Sequence, residues 1–493
     1  MPGLSYSLNV GLSGLQAAQS ALGVVGHNIA NVNTPGYTRQ RAVFAASPNQ
    51  LFGGLYYGAG TGVVSVESVR DKFLDLQILQ NTSVKSGLDV RYQNLEGISP
   101  IFDPTGDASL GTLVQKFFQG FQDLAARPED GGLRTTLLGQ AQSMVTGLKE
   151  RYSTLTQQRN QSNEAVATLV AEVNGLLGQI TDLNDRIATE SATGDNNDAR
   201  DQRKALTDKL AGLIGITAYE ASDGTYTIML DSGGAPLVVG HNSYALSTVT
   251  NPANHNYHDV LVSLGGAATL NVTGRISGGA MGGHLDLRDG ILAGYARQLD
   301  QIAAGIQAAV NLQHRAGVAL NGVTTGLDFF QGGVANGVNG LPPAITAAAF
   351  YEGMVSALTV NAALTANPSL IAASAAGGGP GDNTNARALG NLQSALNTVD
   401  TDGDGVGDRG PFSTALGALV SSVGTQASTL KSSTTTQENL LAALETQRNR
   451  TSAVDLDEEA SQLISYQRAY QASARFLSVI DQLTDQLVNQ FGQ

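Results

Sequence analysis

Apolar residues seven apart run along both ends of the chain, and that repeat constrains the fold more than any other feature. Near the start, Leu8, Leu15, Leu22 and Ile29 form one row, with Leu12 and Val25 four and three residues from its members. Near the end, Leu456, Leu463, Tyr470, Leu477 and Phe491 form a second row, interrupted by Thr484. Tyr466, Ile480 and Leu487 lie on the adjoining row, whose polar member is Ser473. A seven-residue repeat marks a helix with one apolar seam. Helices of this length are marginal alone in water, so each needs a partner, and the nearest candidates are each other. Small residues (Gly11, Gly14, Ala17, Ala18, Ala21) fill the other faces of the first helix, leaving room for a close neighbour. That helix stops in Asn28-Ile29-Ala30-Asn31-Val32-Asn33-Thr34-Pro35-Gly36-Tyr37. Asparagine tolerates left-handed backbone at a helix end, and Pro35-Gly36 suits the centre of a type II turn.

The same period recurs inside the chain. Residues 145–190 carry Leu148, Leu155, Leu169, Leu176 and Leu183 on one row and Val166, Val173, Ile180 and Ile187 on another. Residues 288–315 and 412–451 carry shorter rows, and Ser109 is placed to cap a helix over 109–126. Each stripe alone reads as ordinary core; their number and length together describe an elongated helical body. Between Ile216 and Leu287 the pattern changes to β-branched alternation, with Asp223-Gly224 as a hairpin signal. A weaker β stretch spans Tyr37 to Val69, and Gly332–Gly340 and Gly377–Gly381 read as loops. The expected architecture is mainly α with one β insertion: an elongated multi-domain chain of paired terminal helices, a long helical bundle and a small β domain. The expected units are residues 1–55 with 452–493, residues 56–205 with 285–451, and the insertion at 206–284.

Charge and composition exclude several roles. The net charge of −14 leaves no basic field for phosphate, which argues against nucleic acid as a partner. No basic cluster suits an anionic membrane, and no run of 18 apolar residues is long enough to span one. There is no cysteine, hence no disulfide, thiolate metal site or cysteine nucleophile. The first basic residue is Arg39, so the start lacks the charged region of a cleaved secretory leader. If the chain leaves the cell, the expected route is one without such a leader.

No motif for chemistry is complete. No lysine follows a glycine as a phosphate-cradling loop requires, and no serine sits in a nucleophile elbow. Gly58-Ala59-Gly60-Thr61-Gly62 lacks the dinucleotide spacing, and His255-Asn256-Tyr257-His258-Asp259 lacks a third metal ligand. Asp400, Asp402, Asp404 and Asp408, with Gly405 at the sixth position, resemble the start of a calcium loop. The twelfth position, where a bidentate glutamate belongs, is Pro411. The preferred reading is an acidic turn before a helix beginning near Phe412. No enzymatic activity, cofactor or tightly held metal is expected.

The end segments carry a resemblance. Gly11-Leu12-Ser13-Gly14-Leu15-Gln16-Ala17-Ala18-Gln19, leading to the Asn28–Tyr37 run, resembles the N-terminal signature of bacterial flagellar rod, hook and hook-associated axial proteins. Leu456-Asp457-Glu458-Glu459-Ala460, with Tyr466-Gln467-Arg468-Ala469-Tyr470-Gln471-Ala472-Ser473-Ala474-Arg475, resembles their C-terminal signature. Weaker similarity covers Asp198–Lys209 and Gly278–Asp289. Among these proteins the chain looks most like those that join hook to filament. The resemblance implies a structural part of the extracellular flagellum, exported by the flagellar type III route. It implies terminal helices forming an inner tube, with other domains outside. The implied partners are further copies of the chain, the hook protein, the second junction protein and a cytoplasmic export chaperone at the C-terminal helical region. The implied assembly interface is Leu8, Leu15, Leu22, Ile29, Leu463, Tyr466, Tyr470, Leu477, Ile480 and Leu487. The alternatives are another axial protein, of hook or distal rod, and a secreted calcium-stabilised adhesin resting on Asp400–Asp408.

Overall fold

The computed structural model describes residues 2–52, 54–190, 196–332, 352–395, 397–399 and 408–491. Helix α1 (Pro2–Ala30) leads through strands β1 (Gln40–Ala46), β2 (Gln50–Phe52), β3 (Leu55–Tyr57) and β4 (Thr61–Ser68) into α2 (Lys72–Ile98). Helices α3 (Leu110–Ala126), α4 (Gly131–Glu190) and α5 (Asn197–Leu213) follow. A single β stretch then holds β5 (Ile216–Glu220), β6 (Tyr226–Leu230), β7 (Pro236–Val239), β8 (Asn242–Ser243), β9 (Leu246–Asn251), β10 (Tyr257–Ser263) and β11 (Thr269–Asn271). The chain returns to helix in α6 (Gly279–Asp286), α7 (Leu292–Ala316), the short α8 (Met354–Ala357), α9 (Ala362–Ala366) and α10 (Thr384–Asn391). It closes with the long α11 (Phe412–Ser452) and α12 (Leu456–Phe491). The fold is mainly helical with a small β insertion, as the patterning predicts.

Local chemistry sets the boundaries. Ser109 caps α3 by accepting the Thr112 N–H at 3.3 Å. The helix expected from residue 145 begins at Gly131, where the Asp130 carboxylate accepts the N–H groups of Gly132 and Leu133. Leu137, Leu138, Ala141 and Met144 carry its buried face back to that cap. At 60 residues, α4 is about 90 Å long and sets the length of the helical body. The Asp223-Gly224 hairpin forms as read: β5 and β6 pair antiparallel with Ala218 opposite Ile228, and Gly224 takes a φ of 82°. The insertion folds as two antiparallel sheets, β5-β6-β7-β8 and β11-β10-β9.

Helices α2 and α5 have no counterpart in the apolar rows. The buried face of α2 includes Ser83 and Gly87, where α6 approaches. A Cβ on Gly87 would lie 3.1 Å from the Gly279 carbonyl, and one on Gly283 2.8 Å from the Gly87 carbonyl. Contact made through backbone interrupts the apolar stripe, which runs through Leu74, Ile78 and Leu79 and resumes only at Leu95 and Ile98.

Two cores result. One gathers Phe117, Phe118, Phe121, Phe329, Phe330 and Phe412 with leucines of α4 and α7. The other lies between Val166, Val173, Leu177 and Ile180 of α4, helix α5 and the inner faces of the sheets. Arg134, Arg203 and Arg288 are fully buried. Arg203 stacks on Tyr226, 3.7 Å from its ring centre, and donates to Asn184 and to the Gly224 carbonyl. It thereby ties α5 to α4 and to the first hairpin.

One local expectation fails. No asparagine among residues 28–33 adopts left-handed backbone. Asn31 N–H instead reaches the His27 and Asn28 carbonyls, and the asparagine that matters, Asn28, acts through its side chain. The type II turn forms as read: Gly36 has φ 79°, and the Tyr37 N–H donates to the Thr34 carbonyl at 3.2 Å.

Candidate functional site

The two chain ends form an antiparallel helix pair. Gly11 of α1 faces α12 so closely that a Cβ there would lie 2.8 Å from Leu477 and 2.9 Å from Phe476. Gly14 faces Ser473, and at the far end Asn28 reaches Glu459. Ala18, Ala21 and Val25 continue the same stripe at intervals of three and four and are buried. The seam on α1 is therefore its glycine–alanine face, not its leucine row. Small side chains bring the helix axes closer than leucines allow, and the spacing of packed helices follows the side chains at the contact.

The leucine row consequently has little cover. Leu8 is 38% exposed and Leu12 41%, while Leu15, Leu22 and Ile29 are half-buried. On α12, Ile480 is buried, Leu463, Tyr466, Leu477 and Leu487 are half-buried, and Tyr470 is exposed. Leu456, Ile464, Phe476, Val479 and Leu483 stand exposed on the same helix. The pair thus shows apolar side chains to its surroundings along both members.

A clamp joins this pair to the body. Asn28 is buried, and its amide makes all four bonds available to it. It donates to the Gln40 carbonyl (2.9 Å) and to Glu459 (3.1 Å), and accepts from the Gln40 N–H (2.9 Å) and the Tyr37 hydroxyl (2.8 Å). Glu459, with no exposed side-chain surface, also sits 2.9 Å from Nε of Arg39. The rest of the Arg39 guanidinium forks onto Glu458 at 2.8 and 2.5 Å, and the Arg39 N–H donates to the Ser452 carbonyl at the end of α11. Helix α5 grips the same strand from the other side. Asp201 accepts the Thr38 N–H at 2.9 Å and pairs with Arg70, while Asp198 contacts His27 and Gln40. Burial, followed by the charges of Asp198, Asp201 and Glu459, pushes the Tyr37 hydroxyl far above its ordinary range, so it stays a neutral donor. Residues 37–40 are thereby held by α1, α5, α11 and α12 together. The arrangement carries no reacting group; it sets the angle between the terminal pair and the body.

The signatures at the two ends, quoted above only for their resemblance, meet in this clamp. Its key polar residues lie on the heptad rows. Asn28 is seven residues beyond Ala21 and fourteen beyond Gly14. Glu459 is seven before Tyr466. A polar side chain on a seam row is the signal that marks them.

The other sequence candidates lie apart. Asp400, Asp402 and Asp404 fall outside the described residues, and Asp408 opens a short strand paired with Asn397–Val399. His255 contacts Glu352 and the His258 N–H donates to Asn163, so the His255–Asp259 run does not converge on one point. Among the described residues, no three His, Asp or Glu side chains are grouped to hold a metal, and no helix is long and apolar enough to cross a membrane.

Comparison with known proteins agrees with the geometry. Residues 95–330 match the family described as flagellar hook-associated protein FlgK helical domain. Residues 8–38 match flagella basal body rod protein, and residues 445–490 the C-terminal part of the flagellar basal body rod FlgEFG proteins. The flagellar hook-associated protein 1 of Escherichia coli K12 is 29% identical, covering 99% of this chain and 100% of the relative. That of Bacillus subtilis 168 is 27% identical, covering 97% and 96%. The solved structure of the flagellar hook junction protein FlgK from Burkholderia pseudomallei has the same fold, with a TM-score of 0.65 at 19% identity. The match covers 76% of this chain and 99% of that one.

Proposed function

Because the chain belongs to the flagellar hook-associated protein 1 family, we propose that it is a structural adaptor that joins hook to filament in the bacterial flagellum. It acts by packing and not by catalysis. In this reading residues 1–55 with 452–493 form the inner tube, residues 56–205 with 285–451 surround it, and residues 206–284 project outward. Its partners are further copies of itself, the hook protein on one side and the next junction protein on the other. An export chaperone holds the C-terminal helical region before the chain leaves through the flagellar type III channel.

The observation that carries this reading is the apolar surface of the terminal pair. Its own seam uses the glycine–alanine stripe, so Leu8, Leu12, Ile464, Val479 and Leu483 are left for neighbouring subunits. A contact that is head-to-tail and does not close on itself builds a helical layer, as a tubular axis requires. The clamp holds every copy's pair at one angle to its body, which such a layer also needs.

A strain lacking its own junction protein tests the reading. Leu12→Ala and Val479→Ser are expected to melt within about a degree of the wild-type chain, since exposed positions away from special features rarely shift stability by more than about 0.5 kcal/mol. The same variants are expected to leave hooks without filaments, with filament protein shed into the medium. Normal swimming by Val479→Ser, or early melting by both variants, contradicts the assignment.

A further inference from the structure

Away from the terminal pair, residues 369–375 cross the end of α7 and are held there by polar groups. Gly317 and Val318 pair with Ala375 and Ser374, and the Leu320 N–H donates to the Ser369 carbonyl at 3.0 Å. Arg134, fully buried, donates to the Ile371 carbonyl at 2.7 Å, and Asn385 of α10 donates to the Ala372 carbonyl at 2.7 Å. The remaining holder is His314, 1% exposed, in the last turn of α7. Its ring spans two segments: Nδ1 lies 2.7 Å from the Leu327 carbonyl, and Nε2 lies 3.0 Å from the Ala372 nitrogen.

These two partners admit one protonation state. A carbonyl only accepts, so Nδ1 carries the proton. An amide N–H only donates, so Nε2 offers its lone pair. A second proton would sit on Nε2 and meet the Ala372 N–H, donor against donor. The ring therefore holds both segments only while it is neutral.

We propose that His314 is an acid-released pin: as a neutral imidazole it fastens residues 369–375 to α7 and to Leu327, and uptake of a second proton at Nε2 lets the segment go. His314 meets the Phe329 ring edge-on at 5.5 Å, and Ile371 and Ala373 lie in the same aromatic core, so release uncovers that core.

The surroundings oppose the second proton. Burial holds the imidazole below its ordinary 6.5; the Leu327 carbonyl and the charge of Asp328 work the other way, and the charge of Arg134 adds to the lowering. Asp328 is itself paired with Arg315 of α7 at 3.3 Å. Residues 367–375 include no charged side chain, and α10 meets them through Asn385 and the Ala386 N–H. Asp382 accepts the Ala375 N–H, but bonds from Thr384 and Ala375 hold its carboxyl below the usual range, so it stays ionised where the imidazole titrates. A base lowered in the folded state contributes stability that is full above its unfolded value of 6.5 and lost as the pH falls below it.

Hydrogen exchange of the full-length protein at pH 7.5 and pH 5.5 tests the pin. After correction for intrinsic rates, protection of residues 369–375 is expected to fall about tenfold at pH 5.5. That is the change one imidazole produces across this interval when opening returns it to its ordinary 6.5. Residues 166–180 of α4, in the other core, are expected to change by less than about twofold. His314→Gln, which does not titrate, should abolish the difference. Equal protection of the segment at both pH values, or a tenfold fall that survives in His314→Gln, overturns the proposal. Should that variant fail to fold, deuterium exchange at the imidazole C2 position of the wild-type chain reads the titration of His314 directly. Its midpoint is expected below 6.5; a midpoint at or above that value likewise overturns the pin.

Discussion

Glu459→Ala is expected to free the terminal helix pair while leaving the helical body folded. The change removes the acceptor of one Asn28 N–H and the buried partner of Arg39 Nε. Leaving a buried N–H of Asn28 without its acceptor costs about 1–3 kcal/mol, while Arg39 keeps its fork on Glu458 and loses only the partner of its Nε. The seam has little with which to offset that loss, since glycine and alanine bury little apolar surface. The loss should appear as faster hydrogen exchange in α1 and α12, with exchange in α4 and the main melting transition unchanged. Motility should fail with it, because a pair no longer held at one angle cannot repeat along an axis. Unchanged protection of α12 in the purified variant would show that the clamp does not hold the pair. Glu459→Gln, which retains one acceptor, is expected to fall between the two.

Phe117→Ala should do the reverse. Phe117 is fully buried, with ring centres of Phe118, Phe121, Phe329 and Phe330 between 5.0 and 5.6 Å away. Truncating such a ring to alanine costs about 3–5 kcal/mol in lost transfer energy and residual cavity. The first melting transition should drop by several degrees, and α3 and residues 329–330 should lose protection. A variant that still folds at the growth temperature should assemble, because Phe117 contacts neither the terminal pair nor the clamp. A wild-type melt would mean that this aromatic cluster is not the centre of the body's stability.

The contrast between these variants follows from how differently the two regions are written in the sequence. The aromatic core and the long helices are legible because burial by leucine, valine and phenylalanine leaves a period: Leu148, Leu155, Val166, Val173 and Ile180 are all fully buried where the rows place them. Helix α2 escaped because Gly87 and Gly283 meet through backbone, and backbone contact has no hydropathy. The start of α4 was misplaced because its cap, Asp130, lies beyond the interval in which the rows are continuous.

The sequence by itself determined that both ends are helices with seams, that α-helix dominates, that one β stretch interrupts it and that no complete catalytic motif is present. Each of these rests on local periodicity or residue type, which needs no knowledge of distant partners. Only the tertiary structure decided which face of α1 closes the seam. Gly11, Gly14, Ala18 and Ala21 offered less apolar surface than Leu8, Leu15 and Leu22, yet shape decides how closely two helices approach, and shape is a property of the pair. Only the tertiary structure, likewise, brought Asn28, Arg39, Asp201 and Glu459 together from three distant stretches of chain. A hydrogen bond acts over about 3 Å in space and has no fixed reach in sequence, so the fold must form before such residues become a clamp.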